Sequence, residues 1–282
     1  MRQTLSASLA HSVVNLAQRA GAAIMDIYRA DAVEWTLKGD RSPLCQADLQ
    51  AHAMLRSGLL ALTPELVIVS EEDGDAACAR PLGGRFWLID PLDGTKEFIS
   101  RNDEFTVNVA LIDDGQPVFG VVVAPALGQT YWGAGGMGAW RADDSGTVAI
   151  QAAHPPAGGL LRVVASKSHM TDETRAFITA LGACEVVQAG SSLKICRIAE
   201  GAADVYPRLG PTCEWDTAAA QAVLEAAGGA MRTVSGQALR YGKAEVLNPF
   251  FIAAAPGLPA AWPAFQPEEG NDGKETDPHP LQ

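Results

Sequence analysis

With 282 residues, 48% of them hydrophobic and 19% charged, the chain has ample length for one large domain or two packed ones. Its formal net charge of −12 excludes the lysine- and arginine-rich surface that grips long nucleic acids by their phosphates. No apolar run is long enough to span a bilayer, no signal-peptide pattern opens the chain, and five cysteines without CxxC or Cys/His ligand spacing argue for reduced, mostly buried thiols and against zinc.

From Leu5 to Arg29 the apolar residues Leu9, Val13, Leu16, Ala20, Ile24 and Ile27 recur at helical spacing. A polar loop from Lys38 to Pro43 precedes a second predicted helix from Ala47 to Leu60. Strands are predicted at Leu66–Ser70 and Phe86–Asp90, and through the alternation Phe105, Val107, Val109, Leu111. Asp113-Asp114-Gly115 reads as a hairpin turn returning through Val118–Ala124, so this part is expected to be two helices and an antiparallel sheet. The Ala-, Pro- and Gly-rich stretch Asp143–Gly159 is a candidate boundary, dividing residues 1–150 from 151–264.

Beyond it, strands at Leu161–Ala165, Glu185–Gln188 and Asp204–Tyr206 alternate with helices at Thr171–Leu181, Ser191–Glu200 and Trp215–Ala227. Gly201 and Gly228-Gly229 supply the helix stops, and the pattern is that of an α/β unit. Residues 265–282 are rich in Pro, Glu, Asp, Gly and Asn and read as a disordered acidic tail.

The chemistry concentrates in Asp90-Pro91-Leu92-Asp93-Gly94-Thr95, where two carboxylates follow the apolar Phe86-Trp87-Leu88-Ile89. Proline between them and Gly-Thr behind them predict a rigid turn opening a helix. Carboxylates that close repel unless a cation shares them, and hard oxygen donors suit Mg²⁺. A helix N-terminus just beyond would offer free N–H groups to an anion. The same six residues are also ordinary turn chemistry. A second acidic cluster, Glu71-Glu72-Asp73, ends the apolar run Leu66–Val69, and a third, Glu214-Trp215-Asp216-Thr217, opens an Ala-rich helix. Convergence of the three on one ion is the expectation. Neither a P-loop nor a G-x-G-x-x-G after a strand is present. His11 and His52 lie on predicted helices without acidic or cysteine partners and are read as surface or core residues.

Taken together, several segments resemble the inositol monophosphatase superfamily of metal-dependent phosphatases, most closely its bacterial CysQ-type branch of 3′(2′),5′-bisphosphate nucleotidases. They are Ser42-Pro43 with Ala47-Asp48, Ser70-Glu71-Glu72-Asp73, Trp87 to Phe98, and Glu104-Phe105-Thr106-Val107-Asn108. Later come Ser166-Lys167-Ser168-His169, Gly190-Ser191-Ser192-Leu193-Lys194, Tyr206 to Pro211 and Trp215-Asp216-Thr217-Ala218-Ala219. The resemblance implies a layered α/β/α/β/α sandwich with metals between its halves. It departs at Cys45, where relatives often carry threonine, so a hydroxyl that would support Asp48 is missing.

By matching position, the resemblance implies two or three Mg²⁺ ions held by Glu71, Asp90, Asp93, Asp216 and the Leu92 carbonyl, with Asp90 bridging. Asp48 and Thr95 would polarise the attacking water, and Glu72 would orient a metal-bound water. The phosphate would rest on the N–H groups of Gly94 and Thr95, and His169, Ser192 and Lys194 would meet the rest of the substrate. Trp215 is read as packing that positions Asp216. The implied activity is hydrolysis of adenosine 3′,5′-bisphosphate to AMP and phosphate, in sulfur assimilation and nucleotide recycling, with sensitivity to Li⁺. The alternative is an inositol or sugar-phosphate phosphatase with the same centre. A third reading, a protein that holds a phosphorylated ligand without turnover, is opposed by the presence of every expected acid. The implied setting is cytoplasmic, with room for peripheral attachment at the inner face of the cell membrane and for a homodimer.

Overall fold

The computed structural model describes residues 5–30, 35–37, 43–73, 84–165, 170–262 and 265. Helix α1 (Ala7–Tyr28) is capped by Ser6, whose hydroxyl accepts from Leu9 N at 3.1 Å, and it packs on α2 (Gln46–Leu62). Both helices lie where the periodicity predicts them. A short antiparallel pair, β1 (Trp35–Leu37) and β2 (Pro43–Cys45), lies between them in sequence.

The first main sheet has seven strands: β3 (Val67–Ser70), β4 (Arg85–Asp93), β5 (Thr106–Asp113), β6 (Gln116–Ala124), β7 (Gln129–Ala134), β8 (Gly138–Asp143) and β9 (Gly146–Ile150), in that order. It is antiparallel apart from the β3–β4 pair, which is parallel, a departure from the all-antiparallel expectation. Strands β7 to β9 also go beyond the predicted elements. The β8–β9 hairpin lies across the start of the expected boundary stretch.

Side-chain parity builds the layers, because successive residues of a strand point to opposite faces. Trp87, Ile89, Val107, Val109, Leu111, Phe119 and Val121 meet α1 and α2 on one face. Phe86, Leu88, Ala110, Ile112 and Val122 meet α5 (Leu193–Ala199) and α6 (Glu214–Ala226) on the other. Beneath those helices lies the second sheet, of five strands in the order β11-β10-β12-β14-β13. Its members are β10 (Leu161–Ala165), β11 (Cys184–Gln188), β12 (Val205–Arg208), β13 (Ala230–Thr233) and β14 (Phe251–Ala254). A separate cluster of Val163, Phe177, Val205 and Ile252 covers its outer face with α4 (Asp172–Ala180). The result is an α/β/α/β/α sandwich, as expected.

Helix α6 is seated on the first sheet by a backbone contact. A β-carbon added at Gly120 in β6 would stand 2.1 Å from the Ala219 carbonyl oxygen, so only glycine admits the helix at this depth. Phe265, at the start of the expected tail, instead packs on Phe177 with ring centroids 4.7 Å apart. The tail beyond it, Ser42 and the Cys45 side chain lie outside what is described. Among the described residues Cys184, Cys196 and Cys213 are outside any disulfide, with only Cys196 fully buried, and no helix is long and apolar enough to cross a membrane.

Candidate active site

The Asp90–Asp93 pair does not sit on the turn that the sequence predicts. Strand β4 continues through Asp93, and its register against β5 shifts: Asp90 pairs with Asn108 but Asp93 with Thr106. Three steps along β4 thus match two along β5, a bulge of one residue. An unbroken strand would send residues 90 and 93 to opposite faces. The bulge returns both to the α6 side, the face of Phe86 and Leu88. Pro91 suits a bulge because it has no N–H to give the ladder, and Leu92 N turns inward to Asp90 Oδ1 at 3.0 Å. Gly94 follows at φ +90° and caps the short helix α3 (Thr95–Ile99).

Helix α6 brings the third carboxylate. Carboxylate oxygens of Asp90, Asp93 and Asp216 all lie within 4.8 Å of one another. Asp216 is fixed by its own helix start, accepting Cys213 N at 2.8 Å. Asp93 Oδ2 accepts Ser192 N at 2.7 Å and lies 2.9 Å from Ser192 Oγ. It also takes Thr106 Oγ1 and Asn108 Nδ2, each at 3.3 Å. One oxygen atom therefore ties β4, β5 and the start of α5 together.

Burial pushes Asp90 well above the usual carboxylate range, and the charges of Glu71, Asp93 and Asp216 raise it further; the hydrogen bond that protonated Asp90 gives to Glu71 adds to this. Asp216 is pushed up to about 8, first by burial and then by Asp93. Among the described residues none of the three carboxylates has a lysine or arginine at ion-pair distance. Three packed oxygen donors with unbalanced charge fit a hard divalent cation. A consequence follows for the metal-free protein. Carboxyls whose folded pKa exceeds the unfolded value of about 3.9 contribute stability fully below that pH and lose it as pH rises through the folded value. In chelator, Tm is expected to fall between about pH 4 and about pH 8, and a divalent cation to restore more at pH 8 than at pH 5. A Tm in chelator that climbs steadily across this window would contradict the clustering.

Glu71 and Glu72 form a single 3₁₀ turn with Asp73 at the end of β3. Glu71 acts on Asp90, so the second acidic cluster does converge. Its third member does not: Asp73 accepts Ser70 N at 2.9 Å and Arg56 Nη1 at 3.1 Å. The third cluster also divides. Glu214 is wholly buried and accepts Gly242 N, Lys243 N and the Lys243 ammonium, away from Asp216. Thr95 Oγ1 lies 3.4 Å from Asp48 Oδ1, on the buried first turn of α2, and 3.3 Å from the Leu92 carbonyl.

Two recesses open beside the carboxylates. One, of about 470 Å³, is lined by Gly94, Thr95, Lys96, Pro211, Cys213 and Leu247 along with Asp93 and Asp216. The other is lined by Ser192, Lys194, Tyr206 and Arg208 together with the same two aspartates. Lys194 is buried, its Nζ 5.8 Å from the Tyr206 ring centre. His169 falls outside the described residues. Trp215 packs half-buried against the central core.

Sequence reasoning assigned no role to Thr106, Asn108, Arg208 or His52. The first two were legible as polar residues on even positions of a strand whose odd positions from Val107 to Leu111 are apolar. Arg208 lines the second recess, and its charge draws Asp216 down. His52 does have an acidic partner, Asp73, at 4.0 Å.

Fold and site together define a class: sandwiches of two sheets and three helical layers with a cluster of carboxylates at the junction of the inner layers. Residues 6–264 match the inositol monophosphatase family. The 3′(2′),5′-bisphosphate nucleotidase CysQ of Salmonella typhimurium is 46% identical over 244 residues, covering 85% of this chain and 96% of that one. That of Aggregatibacter actinomycetemcomitans is 38% identical over 255 residues, covering 88% and 93%. The crystal structure of CysQ from Bacteroides thetaiotaomicron, described as a bacterial member of the family, superposes with a TM-score of 0.76 at 37% identity, covering 88% of this chain and 97% of that one. The chain belongs to the inositol monophosphatase family.

Proposed function

We propose that this protein is a Mg²⁺-dependent phosphomonoesterase that hydrolyses adenosine 3′,5′-bisphosphate to AMP and phosphate. The observation that carries the reading is the adjacency of the Asp90–Asp93–Asp216 cluster to a recess bearing Lys194 and Arg208. A monoester needs only a metal-lined phosphate site, whereas a bisphosphate also needs cationic partners for its second phosphate. The relatives named as bisphosphate nucleotidases, at up to 46% identity over most of the chain, support the same substrate.

Asp90, Asp93, Asp216, Glu71 and the Leu92 carbonyl would hold the magnesium. When bound, it neutralises phosphoryl charge and lowers the pKa of water at its surface. Thr95 Oγ1, its own hydrogen directed to Asp48 Oδ1, takes a proton from the attacking water on a lone pair as that hydrogen passes to the Asp48 carboxylate. Glu72 orients a second water. Gly94 and Thr95 present N–H groups to the phosphate. Ser192 keeps Asp93 in place and reaches the substrate from the second recess. Lys194 supplies a compact charge, His169 the ribose contact. A cytoplasmic setting suits a soluble nucleotide substrate.

Released phosphate, measured over a panel of esters with and without Mg²⁺, tests the assignment. Turnover of the bisphosphate nucleotide is expected to vanish in EDTA, to return with Mg²⁺, and to exceed that of inositol monophosphate by about tenfold or more, the scale of a single charged contact. Preference for inositol monophosphate would overturn the substrate, and full activity in EDTA would overturn the metal centre.

A further inference from the structure

We infer that His52 is a positioning residue for the acidic turn, coupling it through α2 to the water-polarising side of the site. The inference rests on the metal reading above but assigns a residue outside the proposed ligands. His52 Nδ1 lies 2.9 Å from Ser70 Oγ, and that same oxygen accepts Glu72 N at 3.3 Å. Ser70 is fully buried at the end of β3, and its own N–H is taken by Asp73 Oδ2 at 2.9 Å. His52 Nε2 faces Asp73 Oδ1 at 4.0 Å, with Arg56 on that oxygen at 3.1 Å. The turn that carries Glu71 and Glu72 is thus pinned at both ends, by Ser70 before it and Asp73 after it. His52 touches the first pin and faces the second.

The source of that pinning matters. His52 stands one turn beyond Asp48 on α2, and residues four apart share a helix face. Asp48 reaches Thr95 at 3.4 Å; His52 reaches Ser70. A single rigid helix therefore sets the spacing between the Thr95–Asp48 pair and the Glu71–Glu72 turn, across elements that do not follow one another in the chain. Glu71 in turn acts directly on Asp90. A turn free to drift would carry Glu71 off the cluster, and side chains that orient metal ligands are typically worth about 10–100-fold in affinity.

The test is Mn²⁺ titration of the full chain by electron paramagnetic resonance without substrate, alongside kcat, KM and Tm in chelator. Variants are His52→Ala, His52→Asn and His52→Gln. Asparagine places a polar atom where Nδ1 stands; glutamine places one nearer Nε2. His52→Ala is expected to weaken Mn²⁺ by about tenfold. His52→Asn should return it to within about threefold, and His52→Gln should not, while KM for the ester stays within about twofold. Unchanged Mn²⁺ affinity in His52→Ala, or His52→Asn as weak as His52→Ala, would overturn the inference. Should His52→Ala fail to fold, Ser70→Ala removes the same contact and is expected to give the same loss, with normal affinity counting against. A wild-type protein that binds no Mn²⁺ would instead sink the metal centre itself.

Discussion

Asp93→Asn is expected to lower kcat by about 10³-fold, which corresponds to about 4 kcal/mol of lost transition-state stabilisation, the scale of what a catalytic metal supplies. Asp93 Oδ2 is occupied by Ser192 N, Ser192 Oγ, Thr106 and Asn108. Those contacts call for an oxygen, so the asparagine carbonyl must take that place. The amide NH₂ then points where a carboxylate oxygen faced the metal, and a donor cannot ligate a cation. The fold keeps its tie while the centre loses a ligand. Because the substitution also removes like-charge repulsion on Asp216, Tm in chelator is expected to hold or rise slightly. Steady-state kinetics at saturating Mg²⁺ decides the matter: a variant retaining more than about a tenth of wild-type turnover would exclude Asp93 from the metal centre.

Gly94→Ala is the second large effect, and it acts through sterics. Gly94 sits at φ +90°, where an L side chain costs about 1–2 kcal/mol. Its β-carbon would also stand 2.2 Å from Ser191 Oγ. That hydroxyl reaches the Asp93 carbonyl at 3.0 Å and the Glu104 carbonyl at 2.8 Å, closing the second sheet's loop over the first. Expelling it loses about 1 kcal/mol more. The sum, roughly 2–3 kcal/mol, predicts a Tm drop of about 4–12 °C for a chain of this size, with impaired turnover because Asp93 and Thr95 flank the site. Ser191 itself lies at φ +43°, so glycine fits there. In a Ser191→Gly background Gly94→Ala should therefore cost about 1 kcal/mol less; strictly additive costs would refute the collision.

Much of this architecture was legible beforehand. The helical period of α1 and the run of α2 survive unchanged, since each buries one apolar face against a sheet. The alternation through Val107, Val109 and Leu111 correctly marks a strand, and the gaps in it, Thr106 and Asn108, are the residues that hold Asp93. Strands β7 to β9 were harder to see. They are short, broken by glycines, and lie toward the sheet's edge, where β9 is almost wholly exposed and carries no apolar period.

The amino-acid sequence by itself determined most of the elements, through side-chain period, and the family and the acids that stand ready, through motifs confined to a few residues; the layer order came with the resemblance those motifs carry. Only the tertiary structure decided which acids meet. The one-residue bulge in β4 turns Asp90 and Asp93 to one face, and helix α6, seated on Gly120, delivers Asp216 to them. Glu214 and Asp73, equally acidic in the sequence, are instead spent on Lys243 and on Ser70 and Arg56. A carboxylate's role depends on which charges and N–H groups surround it once buried, and that depends on register and packing between elements far apart in the chain.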